Sequence, residues 1–97
     1  MARIERDVTI PNSQGMHMRP VAQFVELASR YGCKITVSNG SRSADNAKSI
    51  MAMLPLASPR GAVLTIRADG DDAQQAVDAL VDLVSGGFGE MDDENSG

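Results

Sequence analysis

The apolar residues of this chain change twice from the spacing of a β-strand to the spacing of an α-helix. A strand places every second residue on one face, whereas an amphipathic helix repeats apolar residues at positions i, i+3, i+4 and i+7. Alternating spacing occurs in residues 3–10, 34–40 and 62–68, and helical spacing follows the first and third of these, in residues 18–31 and 73–85. Such a set of segments buries its apolar residues best as a sheet covered by helices.

Two weaker segments complete the order of elements. Asn39-Gly40 is a strong signal for a β-hairpin, although the return strand predicted at residues 41–45 is polar and contains no β-branched residue. After Ser49, the stretch "IMAML" predicts a short helix limited by Pro55. The order βαββαβα predicts an α+β domain with an antiparallel sheet and helices on one face. A ferredoxin-like domain has the same order, and spacing alone does not choose between the two.

Turn-forming residues mark where the helices begin and end. The stretch "PNSQG" at residues 11–15 predicts a loop before the first helix, and Pro20 fits the first turn of that helix, where an N–H donor is not needed. Gly32 is predicted to cap its end. The stretch "DGDD" at residues 69–72 predicts a turn that caps the last helix, which ends at Gly86.

Length and composition restrict the class of protein. A chain of 97 residues fits one domain, which we assign to residues 1–90, followed by an acidic flexible tail at 91–97. The net charge of −4 argues against nucleic-acid binding. Cys33 is the only cysteine, so no internal disulfide forms, and a free thiol fits a cytoplasmic protein. We expect neither a signal peptide, because "MARIERDV" has no apolar segment, nor a membrane span, because no run approaches about 18 apolar residues. One cysteine and one histidine make a poor metal site, and no cofactor is expected.

His17 is the only histidine, and it lies where the predicted loop becomes the first helix. One interpretation is a polar residue that caps the helix or lies on the surface. The other is a phosphoryl acceptor, because the free N–H groups and partial positive charge of a helix N-terminus stabilise an anion. In that interpretation Arg19 adds a positive charge, and Gly15 lets the backbone approach closely. The spacing alone leaves both interpretations open.

The short helix after Ser49 also has two interpretations. Ser49 fits an N-cap, and a phosphoserine would be equally well tolerated at this position by the helix dipole. Ile50, Met51 and Leu54 share one side of the helix, where they either pack in the core or form an adaptable docking surface. Met53 lies on another side and is a core candidate.

Two segments together resemble a known family. The stretch "GMHMRP" at residues 15–20 and the stretch "NAKSIMAMLPLA" at 46–57 are similar to the signature segments of HPr, the histidine-containing phosphocarriers of the bacterial phosphoenolpyruvate-dependent sugar phosphotransferase system. The closing "LVSGGFGE" at 83–90 also matches, so the resemblance covers about residues 3 to 90. It implies an open-faced β-sandwich whose four strands have the order 1-4-2-3, with three helices on one face.

The resemblance also implies roles for the candidate residues. His17 would accept a phosphoryl group on Nδ1 from phosphorylated enzyme I and pass it to an EIIA domain, with Arg19 steadying the phosphate. Ser49 matches the serine that a dedicated kinase phosphorylates in some bacteria. The partner-docking residues would be Ile50, Met51 and Leu54, together with Met18. The protein would be a monomeric phosphocarrier and not an enzyme with its own substrate.

Two departures from the family pattern stand out. Met18 occupies a position that is usually Ala, Ser or Thr, and residues 41–47 look about two residues longer than is common, which predicts an irregular hairpin. The alternative functions are a carrier of the nitrogen-linked branch, a mainly regulatory relative read through Ser49, and a ferredoxin-like ligand-binding module.

Overall fold

The computed structural model describes residues 3–90, and the tail predicted at 91–97 lies outside the described residues. The observed order of elements confirms the predicted βαββαβα pattern. The strands are β1 (Arg3–Thr9), β2 (Lys34–Ser38), β3 (Ser43–Ala44) and β4 (Val63–Asp69), and the helices are α1 (Met18–Ala28), α2 (Ile50–Met53) and α3 (Ala73–Ser85). Two 3-10 turns, Leu54–Leu56 and Gly87–Gly89, follow α2 and α3.

The four strands form one antiparallel sheet in the order β1-β4-β2-β3. In this sheet β4 lies between β1 and β2, so that Leu64 is opposite Val8 and Ile66 is opposite Val37. This is the 1-4-2-3 order that the family resemblance implied, and it decides the choice that spacing had left open.

The core lies between one face of this sheet and the helices. Its largest fully buried members come from every layer, and they include Ile35, Leu64 and Ile66 of the strands and Phe24 and Leu80 of the helices. The opposite face of the sheet is polar and carries side-chain pairs between strands, such as the ion pair Glu5–Arg67 and the hydrogen bond from Thr65 to Asp7. The helices therefore cover one face, as predicted, and leave the other open to solvent.

The first helix ends earlier than predicted. It ends at Ala28, with Ser29 as the C-cap, so the prediction of a cap at Gly32 was wrong. The backbone N–H groups of residues 30 and 31 instead donate to carbonyls three residues back, which tightens the end of the helix into a turn. The N–H of Gly32 donates to the carboxylate of Asp72, 2.8 Å away, and that of Cys33 donates to the same carboxylate at 2.9 Å.

Asp72 therefore acts differently from the prediction. It occupies the N-cap position of α3, but its side chain makes no capping hydrogen bond there. Its carboxylate holds the α1–β2 connection, and the hydrogen bond from the Gly32 N–H is the main reason that the pKa of Asp72 is lowered. The predicted cap is replaced by a link between two loops.

The hairpin between β2 and β3 is irregular, as the long segment predicted. Four residues, 39–42, connect the strands, and β3 contains only two residues. The side-chain oxygen of Asn39 accepts the N–H groups of Ser41 and Arg42, and Gly40 has a φ of +91°. The turn chemistry of Asn39-Gly40 was therefore predicted correctly, but the return strand is shorter than residues 41–45.

Candidate functional site

The loop before α1 is held by backbone pairing with a distant segment. The N–H of Met16 donates to the carbonyl oxygen of Ser58 at 2.7 Å, and the N–H of Ser58 donates back to Met16 at 3.3 Å. Gly15 makes this approach possible, since a Cβ added there would lie 2.3 Å from the Ser58 oxygen. Gly15 was predicted to let the backbone approach a phosphoryl group. The close approach seen in the structure is instead to residues 58–59, and it fixes the chain immediately before His17.

His17 is the N-cap residue of α1, as its position in the sequence predicted. Its backbone is extended, its side chain makes no capping hydrogen bond, and its carbonyl oxygen accepts the N–H of Val21 at 3.0 Å. The N–H groups of Met18 and Arg19 belong to the first turn, where a helix has no backbone acceptor to offer. Pro20 contributes no N–H. The start of α1 therefore has two backbone donors without an acceptor within the helix, which suits an anion.

The imidazole of His17 contacts a carboxylate from the other end of the chain. Its Nε2 lies 2.8 Å from Oε2 of Glu90, and the His17 side chain is 34% exposed. The second carboxylate oxygen, Oε1 of Glu90, accepts a hydrogen bond from the side-chain amide of Asn12 at 2.8 Å. The same amide nitrogen donates to the carbonyl oxygen of Gly15. His17 is thus one end of a hydrogen-bonded chain.

Asn12 and Glu90 were not assigned a role from the sequence. Asn12 looked like an ordinary loop residue, and Glu90 was noted only as the end of a matching segment. Both are buried polar residues, with exposed fractions of 0% and 8%. Burial of polar groups is informative because it costs free energy unless the groups are hydrogen-bonded. The side-chain nitrogen of Asn12 and both carboxylate oxygens of Glu90 have partners in the site.

Arg19 lies in the first turn of α1 with an exposed side chain. Within residues 3–90, the ion pairs are His17–Glu90, Glu26–Arg30 and Glu5–Arg67. None of them involves Arg19, so within this part of the chain its guanidinium is not engaged by a carboxylate. It can therefore act on an anion at the helix start.

Ser49 is the N-cap of α2, which confirms the capping interpretation. Its Oγ accepts the N–H of Ala52 at 3.3 Å, and the residue is half-buried. The preceding Lys48 is fixed as well, because its Nζ donates to the carbonyl oxygen of Tyr31 at 2.6 Å. A capped and anchored α2 presents its first residues at a defined place beside α1, with which it is in contact.

Several apolar side chains on these two helices face solvent. Met18 is 64% exposed, Ile50 44% and Met51 81%, whereas Leu54 is half-buried. Met53 is fully buried, as predicted. We call Met18, Ile50, Met51 and Leu54 the apolar patch. Its exposure favours the docking interpretation over core packing for Ile50 and Met51.

Three other properties of the described residues concern metal ions, membranes and the free thiol. Residues 3–90 contain no group of three or more His, Cys, Asp or Glu side chains placed to hold a metal ion. No helix described there is long and apolar enough to cross a membrane. Burial raises the pKa of the Cys33 thiol, with a further contribution from its hydrogen bond to Asp72. A raised pKa keeps this thiol protonated and unreactive.

Comparison with known proteins agrees with this geometry. A family model described as "PTS HPr component phosphorylation site" matches residues 4–86. "Phosphocarrier protein HPr" of Haemophilus influenzae is 49% identical over 79 residues, which are 81% of this chain and 92% of that protein. "Phosphocarrier protein NPr" of Shewanella violacea is 37% identical over 90 residues, covering 93% of this chain and 98% of the relative.

Solved structures show the same fold. The crystal structure of HPr-C-His from Thermoanaerobacter tengcongensis superposes with a TM-score of 0.82 at 41% identity, covering 90% of this chain and 97% of the other. A structure described as an HPr dimer from the same organism has a TM-score of 0.70 at 42% identity and covers 86% of this chain and 94% of the other.

Proposed function

This chain belongs to the HPr family of phosphocarrier proteins, and we propose that it accepts a phosphoryl group on His17 from phosphorylated enzyme I and passes it to EIIA domains in phosphoenolpyruvate-dependent sugar uptake. The observation that carries the proposal is the position of the single imidazole at the N-cap of α1. The next two residues, Met18 and Arg19, supply backbone N–H groups of the first turn, and within residues 3–90 the guanidinium of Arg19 has no carboxylate partner.

In the proposed transfer, the lone pair of the His17 Nδ1 attacks phosphorus. A bond from Nδ1 to phosphorus forms, the bond from phosphorus to the donor atom of enzyme I breaks, and its electron pair stays on the donor. The N–H groups of Met18 and Arg19 and the Arg19 guanidinium stabilise the phosphoryl charge that arrives at the helix start. Transfer to an EIIA domain is the same exchange with the acceptor on the partner, so the protein ends unchanged.

The direct test is labelling by enzyme I and radiolabelled phosphoenolpyruvate. Wild type is expected to take up label that is lost in acid, because phosphohistidine is acid-labile and phosphoserine is not. His17→Ala is expected to fold with the same thermal stability and to take up no acid-labile label. Ser49→Ala serves as the matched control and is expected to label fully. Full labelling of His17→Ala would contradict the proposal.

We propose that the apolar patch is where enzyme I and EIIA domains dock. Met18, Ile50 and Met51 are exposed on two helices that contact each other, and Leu54 is half-buried in the turn that follows α2. A kinase that phosphorylates Ser49 would add about two negative charges beside Ile50 and Met51. Such a charge would oppose the approach of a phosphorylated partner, which gives Ser49 a regulatory role.

The alternative within the family is the nitrogen-linked branch, in which a related enzyme I is the donor. The 37% identical relative named NPr supports keeping it. Rates of phosphorylation by purified sugar-branch and nitrogen-branch enzyme I discriminate the two, and we expect the sugar-branch donor to be faster. We also propose a cytoplasmic monomer. Light scattering after gel filtration tests the monomer, with the dimer described for a 42% identical HPr as the competing outcome.

A further inference from the structure

The residues after α3 form an unusual turn. Gly87, Phe88 and Gly89 all have positive φ, at 73°, 57° and 77°. Glycine adopts this conformation readily, whereas a residue with a Cβ such as Phe88 rarely does. Phe88 is only 2% exposed, so its packing in the core holds the turn in place. Residues held in such rarely populated conformations cluster at functional sites.

The turn places the carboxylate of Glu90 against the imidazole. The backbone N–H of Glu90 donates to the carbonyl oxygen of Gly87 at 2.9 Å, which closes the turn. Glu90 is then 8% exposed and 2.8 Å from the His17 Nε2, across 73 positions of sequence. A buried carboxylate is costly to place, so its two oxygens need partners.

Asn12 determines which carboxylate oxygen of Glu90 faces His17. Its amide nitrogen donates to the carbonyl oxygen of Gly15, which can only accept, so the identity of the nitrogen at this point is settled by its partner. The same nitrogen donates to Oε1 of Glu90 at 2.8 Å. Oε2 of Glu90 is left facing Nε2 of His17, and a carboxylate oxygen accepts a hydrogen bond. The imidazole must therefore present an N–H at Nε2.

We propose that Glu90, itself oriented by Asn12, is a positioning residue that holds His17 in the Nε2–H tautomer and so makes Nδ1 the attacking nitrogen. A neutral imidazole carries one N–H, so a proton at Nε2 leaves the lone pair at Nδ1. This inference rests on the proposed phosphocarrier function. During the transfer the Nε2 proton stays in place, and the positive charge that the phosphorylated ring then carries faces the Glu90 carboxylate.

Glu90→Gln is the decisive variant because it has nearly the same shape. Asn12 still donates to the oxygen of residue 90, which turns the new amide nitrogen towards Nε2 of His17. That nitrogen can only donate, so it favours the Nδ1–H tautomer, which has no lone pair at the attacking position. We expect ¹⁵N NMR of the neutral imidazole to show Nε2–H in wild type and Nδ1–H in Glu90→Gln. We expect phosphorylation by enzyme I to slow by at least about tenfold, as misplaced tautomers do in other histidine sites.

Controls separate positioning from folding. Glu26→Gln changes an exposed carboxylate on α1 and is expected to alter neither the tautomer nor the rate. Glu90→Asp keeps an acceptor and is expected to retain the Nε2–H tautomer, so it remains informative if Glu90→Gln does not fold. An Nδ1–H tautomer in folded wild type or Glu90→Asp would overturn the proposal. So would a Glu90→Gln protein that keeps Nε2–H, or one that switches tautomer at an unchanged rate.

The two proposals fail in different ways. If the proposed function is wrong, wild type takes no phosphoryl group from enzyme I, whereas the NMR experiment still reports the tautomer. If only the positioning role is wrong, wild type is phosphorylated on His17 and the tautomer does not depend on Glu90.

Discussion

Replacing Gly15 by alanine tests whether the loop before His17 depends on its pairing with residues 58–59. Gly15 has a φ of +68°, and an added Cβ would lie 2.3 Å from the Ser58 oxygen and 2.9 Å from atoms of Pro59. Contacts of real Cβ atoms essentially never fall below 3.0 Å, so the two segments must separate by the difference, about 0.7 Å. The atoms involved are backbone, which cannot rotate away as a side chain can.

The size of the effect follows from two contributions. An alanine at this φ costs about 1–2 kcal/mol. The separation weakens the two backbone hydrogen bonds between Met16 and Ser58, each of which contributes about 1 kcal/mol. We therefore expect Gly15→Ala to lower the free energy of unfolding by about 2–4 kcal/mol. For a domain of this size each 1 kcal/mol corresponds to a fall in Tm of about 4–8 °C.

Urea denaturation measures the effect, and Gly40→Ala is the matched control. Gly40 has a φ of +91° but no atom within 4 Å of an added Cβ, so only the backbone cost of about 1–2 kcal/mol applies. Gly15→Ala is also expected to slow phosphorylation of His17, because the chain before the imidazole moves, whereas Gly40→Ala is expected to transfer normally. Equal destabilisation by the two variants would refute the reasoning.

Three further variants test the roles assigned to Arg19, Ser49 and Asp72. Arg19→Ala is expected to slow phosphorylation more than about tenfold in rapid-quench assays, with less than about 1 kcal/mol lost in urea denaturation; normal transfer with reduced stability would contradict the assignment. Ser49→Asp is expected to keep its Tm but to raise the KM for enzyme I. Added salt is expected to lower this KM again in part, because the Debye length falls from about 10 Å at 0.1 M to about 3 Å at 1 M. If Ser49→Asp transfers the phosphoryl group as fast as wild type at low salt, Ser49 has no regulatory role and serves only as the N-cap of α2. Asp72→Asn is expected to lower Tm at neutral pH, because the lowered pKa of Asp72 means that its carboxylate stabilises the fold above the ordinary value of about 3.9. The difference in Tm between Asp72→Asn and wild type is expected to shrink as the pH falls below this value. A difference in Tm that is constant with pH would contradict the stabilising role of the Asp72 carboxylate.

The regular elements were predictable because their apolar residues repeat at fixed spacing. The last helix illustrates this. Its predicted apolar stripe is Ala73, Ala76, Val77, Leu80, Val81 and Val84, and all of these are fully buried except Val81, which is partly buried. The order of the strands in the sheet could not be predicted from spacing. It depends on which strands lie side by side, and spacing within each strand carries no information about its neighbours. Only the resemblance to a family supplied it.

The ends of elements were harder to predict because distant residues decide them. The end of α1 was placed at Gly32 on the usual preference for glycine, but the Gly32 N–H is taken by the carboxylate of Asp72, 40 positions away. The same contact removes Asp72 from its expected role as a cap of α3. Local preference cannot anticipate a partner of this kind.

In the candidate site, the local position of the key residue was predictable, but its long-range contacts were not. The position of His17 at a helix start was evident from the loop residues before it and the helical spacing after it. Its contact with Glu90 was not, since it depends on the turn at Gly87–Gly89, in which Phe88 adopts a conformation that such residues rarely adopt. Asn12 reaches the same carboxylate across 78 positions. The contacts that orient the imidazole are therefore long-range, although the imidazole itself was found locally.

The measurement that tests the central claim most directly is a ³¹P–¹⁵N correlation spectrum of the protein after phosphorylation by enzyme I, with the histidine labelled with ¹⁵N. We predict one phosphoryl group, coupled to the Nδ1 of His17, with the proton still on the Nε2 that faces Glu90. Coupling of phosphorus to Nε2, or a phosphoryl group on any residue other than His17, would contradict it.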